Sequence, residues 1–199
     1  MTATAVKLEK STAQKALEAQ ASLLNEVTKR LAKKNSDNGK VSVSKMDQIQ
    51  HVFYQLAWLT AQQRVAENFI VYAWDEKKGT GELEKQMALS FAAETITNIR
   101  SELAARPAEY ELTYPEIFSK LFTDEINSYV EAGSKIENYT AIVDKIVDLG
   151  HFGAYGLSED HENFRQIFKD FAENVVVPQA EHVHRHDDLI PMEIINGLK

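Results

Sequence analysis

Cysteine is absent from the 199-residue chain, and proline and glycine are scarce, with 4 and 8 residues. The absence of cysteine excludes disulfide frameworks, thiolate zinc sites, iron–sulfur clusters and cysteine nucleophiles. The low glycine and proline content excludes collagen, low-complexity disorder and a turn-dense all-β protein. The residues present, 44% hydrophobic and 26% charged, are typical of a helix-rich globular chain of one or two domains.

The formal charge of −8 is distributed unevenly along the chain. Residues 1–40 carry a net charge of +4, and residues 41–199 carry −12. The acidic body disfavours nucleic acid as a partner, because phosphate binding needs a clustered basic surface. The basic start contains four acidic residues and one arginine, so it fits neither a transit peptide nor a signal peptide. No apolar run reaches about 18 residues, so we expect a cytoplasmic chain without a membrane span.

The spacing of apolar residues predicts an all-α fold. A narrow apolar stripe predicts a first helix over 7–34, which the turn residues after it should end. The strongest pattern predicts a helix over 44–75, begun by a capping box between Ser44 and Asp47. A third helix over 82–105 follows a short glycine-containing link, so these two helices should form an antiparallel hairpin.

The second half of the chain repeats the helical pattern. Two helices are predicted over 115–131 and 135–149, with Pro115 in the first helical position. Ser158 can cap the next helix, which Pro178 should kink or end because proline lacks the N–H donor. The predicted organisation has four parts: a basic polar helix and turn (1–40), a helical extension (41–149), a glycine-rich joint (150–157) and a further helical unit (158–199).

The densest group of possible metal ligands is His182, His184 and His186 with Asp187 and Asp188. Alternate spacing brings side chains together on a metal from an extended strand, whereas these histidines follow a predicted helix. We therefore favour a solvated loop between two helices and predict no metal ligand. A metal-dependent enzyme is the alternative.

The glycines at 150, 153 and 156 suggest a phosphate cradle or a joint. A cradle presents backbone N–H groups at a helix N-terminus, usually after a strand and beside a lysine. No strand is predicted before these glycines, and no lysine lies between Lys145 and Lys169. The pattern therefore favours a flexible joint between two helical units.

Other catalytic patterns are equally weak. No two carboxylates can be paired across a cleft from the sequence, and no serine lies in a strand-to-helix elbow. Trp58, Tyr72 and Trp74 are expected to be packing residues rather than a cofactor site. The sequence thus predicts no catalytic, cofactor-binding or metal-binding residue.

The last part of the chain has a distinctive order of residues. Residues 164–171 are FRQIFKDF, residues 177–181 are VPQAE, and residues 190–198 are IPMEIINGL. This order resembles the opening of the acyl-CoA dehydrogenases, where a first helix ends near Pro-x-Ala. An acidic residue and a Pro-x-Glu helix with two apolar residues and a leucine follow in that family.

A second stretch extends the resemblance. Residues 54–73, YQLAWLTAQQRVAENFIVYA, are similar to a helix of the C-terminal helical domain of the same family, and 82–105 could be its partner helix. Such a unit ahead of an N-terminal domain resembles one branch of the family that carries a long N-terminal extension. The resemblance therefore implies that residues 41–149 are this extension and residues 158–199 the start of the dehydrogenase core.

The resemblance also implies a chemistry. Acyl-CoA dehydrogenases are FAD flavoproteins in which a glutamate removes the α-proton of an acyl-CoA while the β-hydride passes to flavin N5. Electrons then pass to an electron-transfer flavoprotein, and a short branched or dicarboxylic acyl-CoA is the expected substrate. The flavin-binding strands and the base belong to later domains of the family. Glu67 and Glu94 lie in the similar helices, but no motif identifies either as the base.

For this chain we therefore expect an N-terminal, truncated portion of a longer enzyme that binds no FAD alone and is itself inactive. Its role would be packing against the remainder of the dehydrogenase chain or assembly of a homo-oligomer, because apolar helix faces need partners. The alternative is a free-standing helical protein–protein interaction module whose similarity to dehydrogenase helices is incidental.

Overall fold

The structure, a computed structural model, describes residues 8–198. The parts of the predicted segments that fall on residues 1–7 and 199 lie outside the described residues. The all-α prediction is confirmed, because the regular secondary structure of residues 8–198 is helical apart from one two-stranded hairpin, β1 (Ser36–Asp37) and β2 (Lys40–Val41). The helices are α1 (Lys10–Lys34), α2 (Val43–Gln48), α3 (Gln50–Ala73), α4 (Glu82–Ala105), α5 (Tyr114–Leu121), α6 (Asp124–Gly133), α7 (Ile136–Leu149), α8 (Glu159–Phe171), α9 (Val177–His186) and α10 (Met192–Gly197).

The chain divides into two compact units, Met1–Ala154 and Tyr155–Lys199. None of the helices in residues 8–198 combines the length and the apolar character that a membrane crossing requires.

Helices α3 and α4 form the centre of the first unit as an antiparallel pair, as predicted. Their pairing is visible at two levels: Asn98 donates to the Gln62 amide oxygen at 2.7 Å, and the rings of Phe69 and Phe91 lie 6.1 Å apart. Since the residue number falls on one helix as it rises on the other, the two helices run in opposite directions.

Helix α1 packs on both members of this pair. The amide of Gln63 on α3 donates to the Leu17 carbonyl at 2.8 Å, and the amide of Gln20 on α1 donates to the Ile96 carbonyl at 3.2 Å. These buried glutamines lie between two apolar clusters. The first is built around Leu17, Ile70, Ala92, Ile96 and Tyr129, and the second around Leu31, Leu59, Ile99, Leu103 and Ile117.

The predicted helix over 44–75 is interrupted near its start. Ile49 leaves the helical conformation, with φ −126° and ψ 37°, and its N–H bonds to Met46 three residues back. A β-branched residue tolerates this break because it loses side-chain freedom in a helix. The predicted capping box at Ser44 is wrong, since Ser44 lies inside α2 and Ser42 occupies the N-cap position.

The predicted helix over 115–131 is also two helices. The Thr123 hydroxyl accepts a hydrogen bond from the Ile126 N–H at 3.3 Å, which caps α6 and starts a new helix. A threonine at an N-cap satisfies a donor that has no intrahelical partner. Apolar spacing alone could not distinguish this restart from a continuous helix, because the apolar residues stay in register on both sides.

The second unit confirms one prediction and corrects part of another. Ser158 caps α8, its hydroxyl accepting from the His161 N–H, and Pro191 directly precedes α10. Of the two outcomes predicted for Pro178, the end of the helix is wrong, because residues 172–176 form a wide π-helical turn and α9 continues through the proline. A kink at this point stays a prediction. Helix α10 then lies so close to α8 that a Cβ on Gly197 would overlap the ring of Phe171.

A charged network fastens α5 to α1. The guanidinium of Arg30 contacts Glu26 on its own helix and Glu116 on α5, the latter at 2.7 Å, and Lys120 contacts Glu26 at 2.7 Å. Hydrogen bonds from Arg30 and from Thr113 lower the pKa of Glu116 to about 2. A hydrogen bond from Lys120 and then one from Arg30 lower the pKa of Glu26 as well.

These lowered pKa values predict the acid sensitivity of the fold. A carboxyl whose pKa falls from 4.5 to about 2 on folding stabilises the protein above pH 4.5, and that contribution is lost as the pH falls towards 2. We expect Glu116→Gln to be less stable than the parent at neutral pH and to lose less stability between pH 4.5 and 2. Urea unfolding measured across this pH range tests this, and equal slopes for the two proteins would contradict it.

Candidate functional site

A buried carboxylate, Glu84, lies in the first unit outside the charged network. It lies on the first turn of α4 and is 4% exposed. Its Oε2 accepts from the Gly81 N–H at 2.7 Å, and its Oε1 accepts from the Ala154 N–H, also at 2.7 Å. The Tyr72 hydroxyl donates to the Ala154 carbonyl. Residues far apart in the chain are thus joined around one carboxylate.

The electrostatics of Glu84 favour the ionised form. Burial raises the pKa of this carboxyl, but the backbone N–H groups of Ala154 and Gly81 and the nearby His151 outweigh burial, so the pKa lies below its usual value. Both carboxylate oxygens already accept hydrogen bonds, so Glu84 is not poised to take a proton from a substrate. The arrangement is that of an anchor for the loop after α7.

The anchored loop borders a cavity of about 710 Å³ in the first unit. The cavity lies between the start of α4, the end of α7 and residues 150–154, with Lys145, Asp148 and His151 on its wall. The side chain of His151 accepts a hydrogen bond from the Gly153 N–H at 3.0 Å. Two of the polar groups on its wall, His151 and Glu84, therefore bond to the loop itself.

The glycines of this loop allow the backbone to approach the Glu84 carboxylate. Gly150 has φ +69° and ends α7, and Gly153 has φ +116°, a left-handed conformation that disfavours other residues. A Cβ on Gly153 would lie 2.8 Å from Glu84 Oε1. The predicted flexible joint is therefore tied to α4 at Ala154, whose N–H already donates to the Glu84 carboxylate.

Glu67 and Glu94, the two glutamates in the helices that resemble the dehydrogenase family, do not form a site. Glu67 accepts hydrogen bonds from Gln63 and Arg64 on its own helix, at 2.9 and 2.8 Å. Glu94 is exposed, and burial together with a hydrogen bond to Glu94 raises the pKa of Tyr139 to about 12. The two carboxylates thus have different hydrogen-bond partners, Gln63 and Arg64 for Glu67 and Tyr139 for Glu94.

The three aromatic residues expected to pack behave differently from one another. Tyr72 and Trp74 are partly buried, and Trp74 carries Lys10 over its ring at 5.2 Å. Trp58 is 54% exposed on α3, so its predicted packing role within the described chain is wrong.

The histidine-rich segment differs from its prediction. It is not a solvated loop, since α9 continues through His186 and ends at Asp187. The helix places His182 and His186 one turn apart on one face, and Asp188 lies beside them. The alternate spacing that argued against a metal is therefore not the relevant spacing, because residues i and i+4 converge on a helix.

Glu84 is the residue that sequence reasoning missed, because most carboxylates on helices are solvated. A signal was present: Gly81 followed by Glu84 has the spacing of an N-cap and its N3 glutamate. That spacing predicts the bond to the Gly81 N–H. It does not predict the bond to Ala154, which depends on the tertiary fold.

Comparison with curated proteins identifies a relative of this chain. The chain is 27% identical over 181 residues to the (2S)-methylsuccinyl-CoA dehydrogenase of Cereibacter sphaeroides. The match covers 84% of this chain but only 32% of the relative, so the chain spans about a third of the length of that enzyme. No protein-family model matches the chain. The similarity confirms the predicted resemblance to an acyl-CoA dehydrogenase.

Proposed function

We propose that this chain is the N-terminal helical portion of an FAD-dependent acyl-CoA dehydrogenase. The observation that carries the proposal is the similarity of 84% of the chain to a (2S)-methylsuccinyl-CoA dehydrogenase. The reaction of the whole enzyme would convert (2S)-methylsuccinyl-CoA to mesaconyl-CoA, a glutamate taking the α-proton and the flavin the β-hydride. Electrons would leave the reduced flavin through an electron-transfer flavoprotein.

The described residues of this chain do not fit the flavin. The loop at residues 150–156 comes closest to a phosphate cradle, but the Glu84 carboxylate already binds its Ala154 N–H. A fixed negative charge at that place repels the pyrophosphate of FAD. We therefore assign neither FAD binding nor the proton abstraction to residues 8–198.

The role that we assign to this region is packing and assembly. The α8 side chains Phe164, Ile167 and Phe168 are each about 60% exposed, and α7 also exposes Val143 and Val147. On α8 itself, Phe164, Ile167 and Phe168 follow helical spacing and form one apolar face, and exposed apolar faces of this kind mark contact surfaces. We propose that the remainder of the dehydrogenase chain covers the α8 face, and that further apolar surface contributes to a homo-oligomer.

A free-standing interaction module is the second candidate. The observation that favours it is the first unit, which buries two apolar clusters of its own. In that case the exposed apolar residues would bind a different protein, and no flavin chemistry would be associated with the chain.

The two candidates predict different results when the 199-residue chain and the open reading frame that contains it are expressed separately. We expect the chain alone to purify without stoichiometric FAD and without dehydrogenase activity on methylsuccinyl-CoA. The complete frame should bind FAD and reduce an artificial electron acceptor with that substrate. Flavin absorbance and acceptor reduction measure the two properties.

Two outcomes would overturn the dehydrogenase proposal. In one, the 199-residue chain itself carries stoichiometric FAD and is active. In the other, the complete frame encodes no flavin-binding domain, which would support the interaction module instead. A matched control, the complete frame lacking residues 1–149, shows whether the extension is needed for assembly, as size-exclusion chromatography reports.

A further inference from the structure

The C-terminal end of α9 carries three potential metal ligands on one side. The ligand atoms of His182, His186 and Asp188 all lie within 4.8 Å of one another, and the three side chains are exposed. His182 Nε2 is 3.4 Å from Asp188 Oδ2, and the two imidazole rings lie 4.2 Å apart between centroids. We call these three residues the His–Asp cluster.

We propose that the His–Asp cluster binds one divalent transition-metal ion, with Zn²⁺ as the best match. Two ligand atoms bound at about 2.1 Å to a tetrahedral ion are separated by roughly 3.4 Å. This is the distance between His182 Nε2 and Asp188 Oδ2. Two imidazoles and one carboxylate suit zinc, whereas magnesium and calcium prefer oxygen ligands alone.

The second histidine is oriented by the helix. His186 Nδ1 lies 2.9 Å from the His182 carbonyl oxygen, so the Nδ1–H can donate to that carbonyl. This hydrogen bond places the proton on Nδ1 and leaves the lone pair on Nε2 for a metal. Backbone groups near an imidazole ligand fix its tautomer in this way in many metal sites.

The helix end also holds the aspartate in place. Asp187 adopts the left-handed conformation, φ +53°, and reverses the chain after α9. The Asp188 N–H then bonds to the Val183 carbonyl at 3.1 Å, which brings the Asp188 side chain back beside His182. A cation at this position also gains from the negative end of the helix dipole.

Three protein ligands leave a fourth tetrahedral position for another group. A cavity of about 570 Å³ borders the cluster and is lined by His182, Asp188, Pro178 and Leu189 among others. Its size admits a water molecule or a small ligand at that position. The site therefore has the composition of an open metal centre, and it is independent of the proposed dehydrogenase role.

His184 provides the matched control. It lies two residues from both His182 and His186, so it projects from another side of α9. It is exposed and belongs to the same histidine-rich segment, but it is outside the cluster. If metal bound nonspecifically to a histidine-rich surface, His184 would contribute to binding as much as His182 and His186.

The test is calorimetric titration of Zn²⁺ into the untagged 199-residue chain after treatment with a chelator. We expect one Zn²⁺ per chain for the parent and for His184→Ala, and no binding of Mg²⁺. His182→Ala and His186→Ala should each weaken binding by at least about tenfold, the loss seen even when an outer partner of a ligand is removed. Asp188→Asn should also weaken it.

Binding of Co²⁺ in place of Zn²⁺, with visible absorbance typical of four-coordinate cobalt, supports the tetrahedral geometry. Absence of Zn²⁺ binding to the parent would overturn the proposal, as would equal losses in His184→Ala and His186→Ala. The three cluster residues are exposed, so circular dichroism should show unchanged helix content in every variant.

Discussion

Replacing Glu84 with alanine is expected to lower the free energy of unfolding by about 3 kcal/mol. The carboxylate accepts hydrogen bonds from the Gly81 and Ala154 N–H groups, and bonds to a charged group contribute about 1.5–3 kcal/mol each when buried. Removal leaves both donors without this partner and loosens the loop at Ala154, which the Tyr72 hydroxyl still contacts. Urea unfolding followed by tryptophan fluorescence reports on this unit, because Trp58 and Trp74 both lie in it.

Glu82 is the control for this prediction, since it also lies on the first turn of α4. Its exposed carboxylate pairs with Lys85 at 2.9 Å, so Glu82→Ala should cost only about 0.5 kcal/mol through the helix dipole and the surface pair. Hydrogen exchange at the Ala154 amide should accelerate in Glu84→Ala and not in Glu82→Ala. Equal losses in the two variants would show that the dipole alone explains the effect.

The helices of this protein were largely predictable because their apolar residues repeat at helical spacing. Helix α4 occupies Glu82–Ala105, the predicted range. Helices α1 and α7 end where predicted, at Lys34 and Leu149, and differ from the predictions only in where they begin. The signals at the ends of these helices are local ones, such as glycine after α7. Local signals of this kind do not depend on the tertiary fold.

The interruptions were not predictable, because each depends on a choice that apolar spacing does not report. Ile49 breaks the helix without a glycine or proline, and Thr123 acts as a cap where a mid-helix threonine was equally compatible with the pattern. At Pro178 the predicted end of the helix is wrong, since the helix widens at residues 172–176 and continues. That continuation also moved the histidines from a loop onto a helix face.

For the candidate sites too, features that depend on local sequence were predictable and features that depend on the tertiary fold were not. The resemblance to a dehydrogenase was readable from residues 164–198, because that order of residues is a property of the sequence alone. The Glu84 anchor joins positions 70 residues apart in the chain, and the His–Asp cluster depends on the backbone turn at Asp187. Neither arrangement exists before the chain has folded.

Leu103→Ala is expected to lower the free energy of unfolding of the first unit by about 3 kcal/mol or more, as is typical when a buried leucine is truncated. Leu103 is fully buried in the second apolar cluster, so its truncation leaves a cavity lined by apolar side chains. Val65→Ala is the control, because Val65 lies on α3 with 54% exposure and should change stability by less than about 0.5 kcal/mol. Tryptophan fluorescence during urea unfolding measures both, and similar losses would contradict the assignment of the core.

Stability measurements on Phe168→Ala distinguish the dehydrogenase proposal from the interaction module. In the 199-residue chain this ring is 59% exposed, so Phe168→Ala should change stability by less than about 0.5 kcal/mol. If the remainder of a dehydrogenase chain covers α8, the same substitution in the complete enzyme should cost about 3–5 kcal/mol, the loss for a buried phenylalanine. A small loss in both proteins would mean that the dehydrogenase core does not contact this face, and the α8 surface would then belong to another partner.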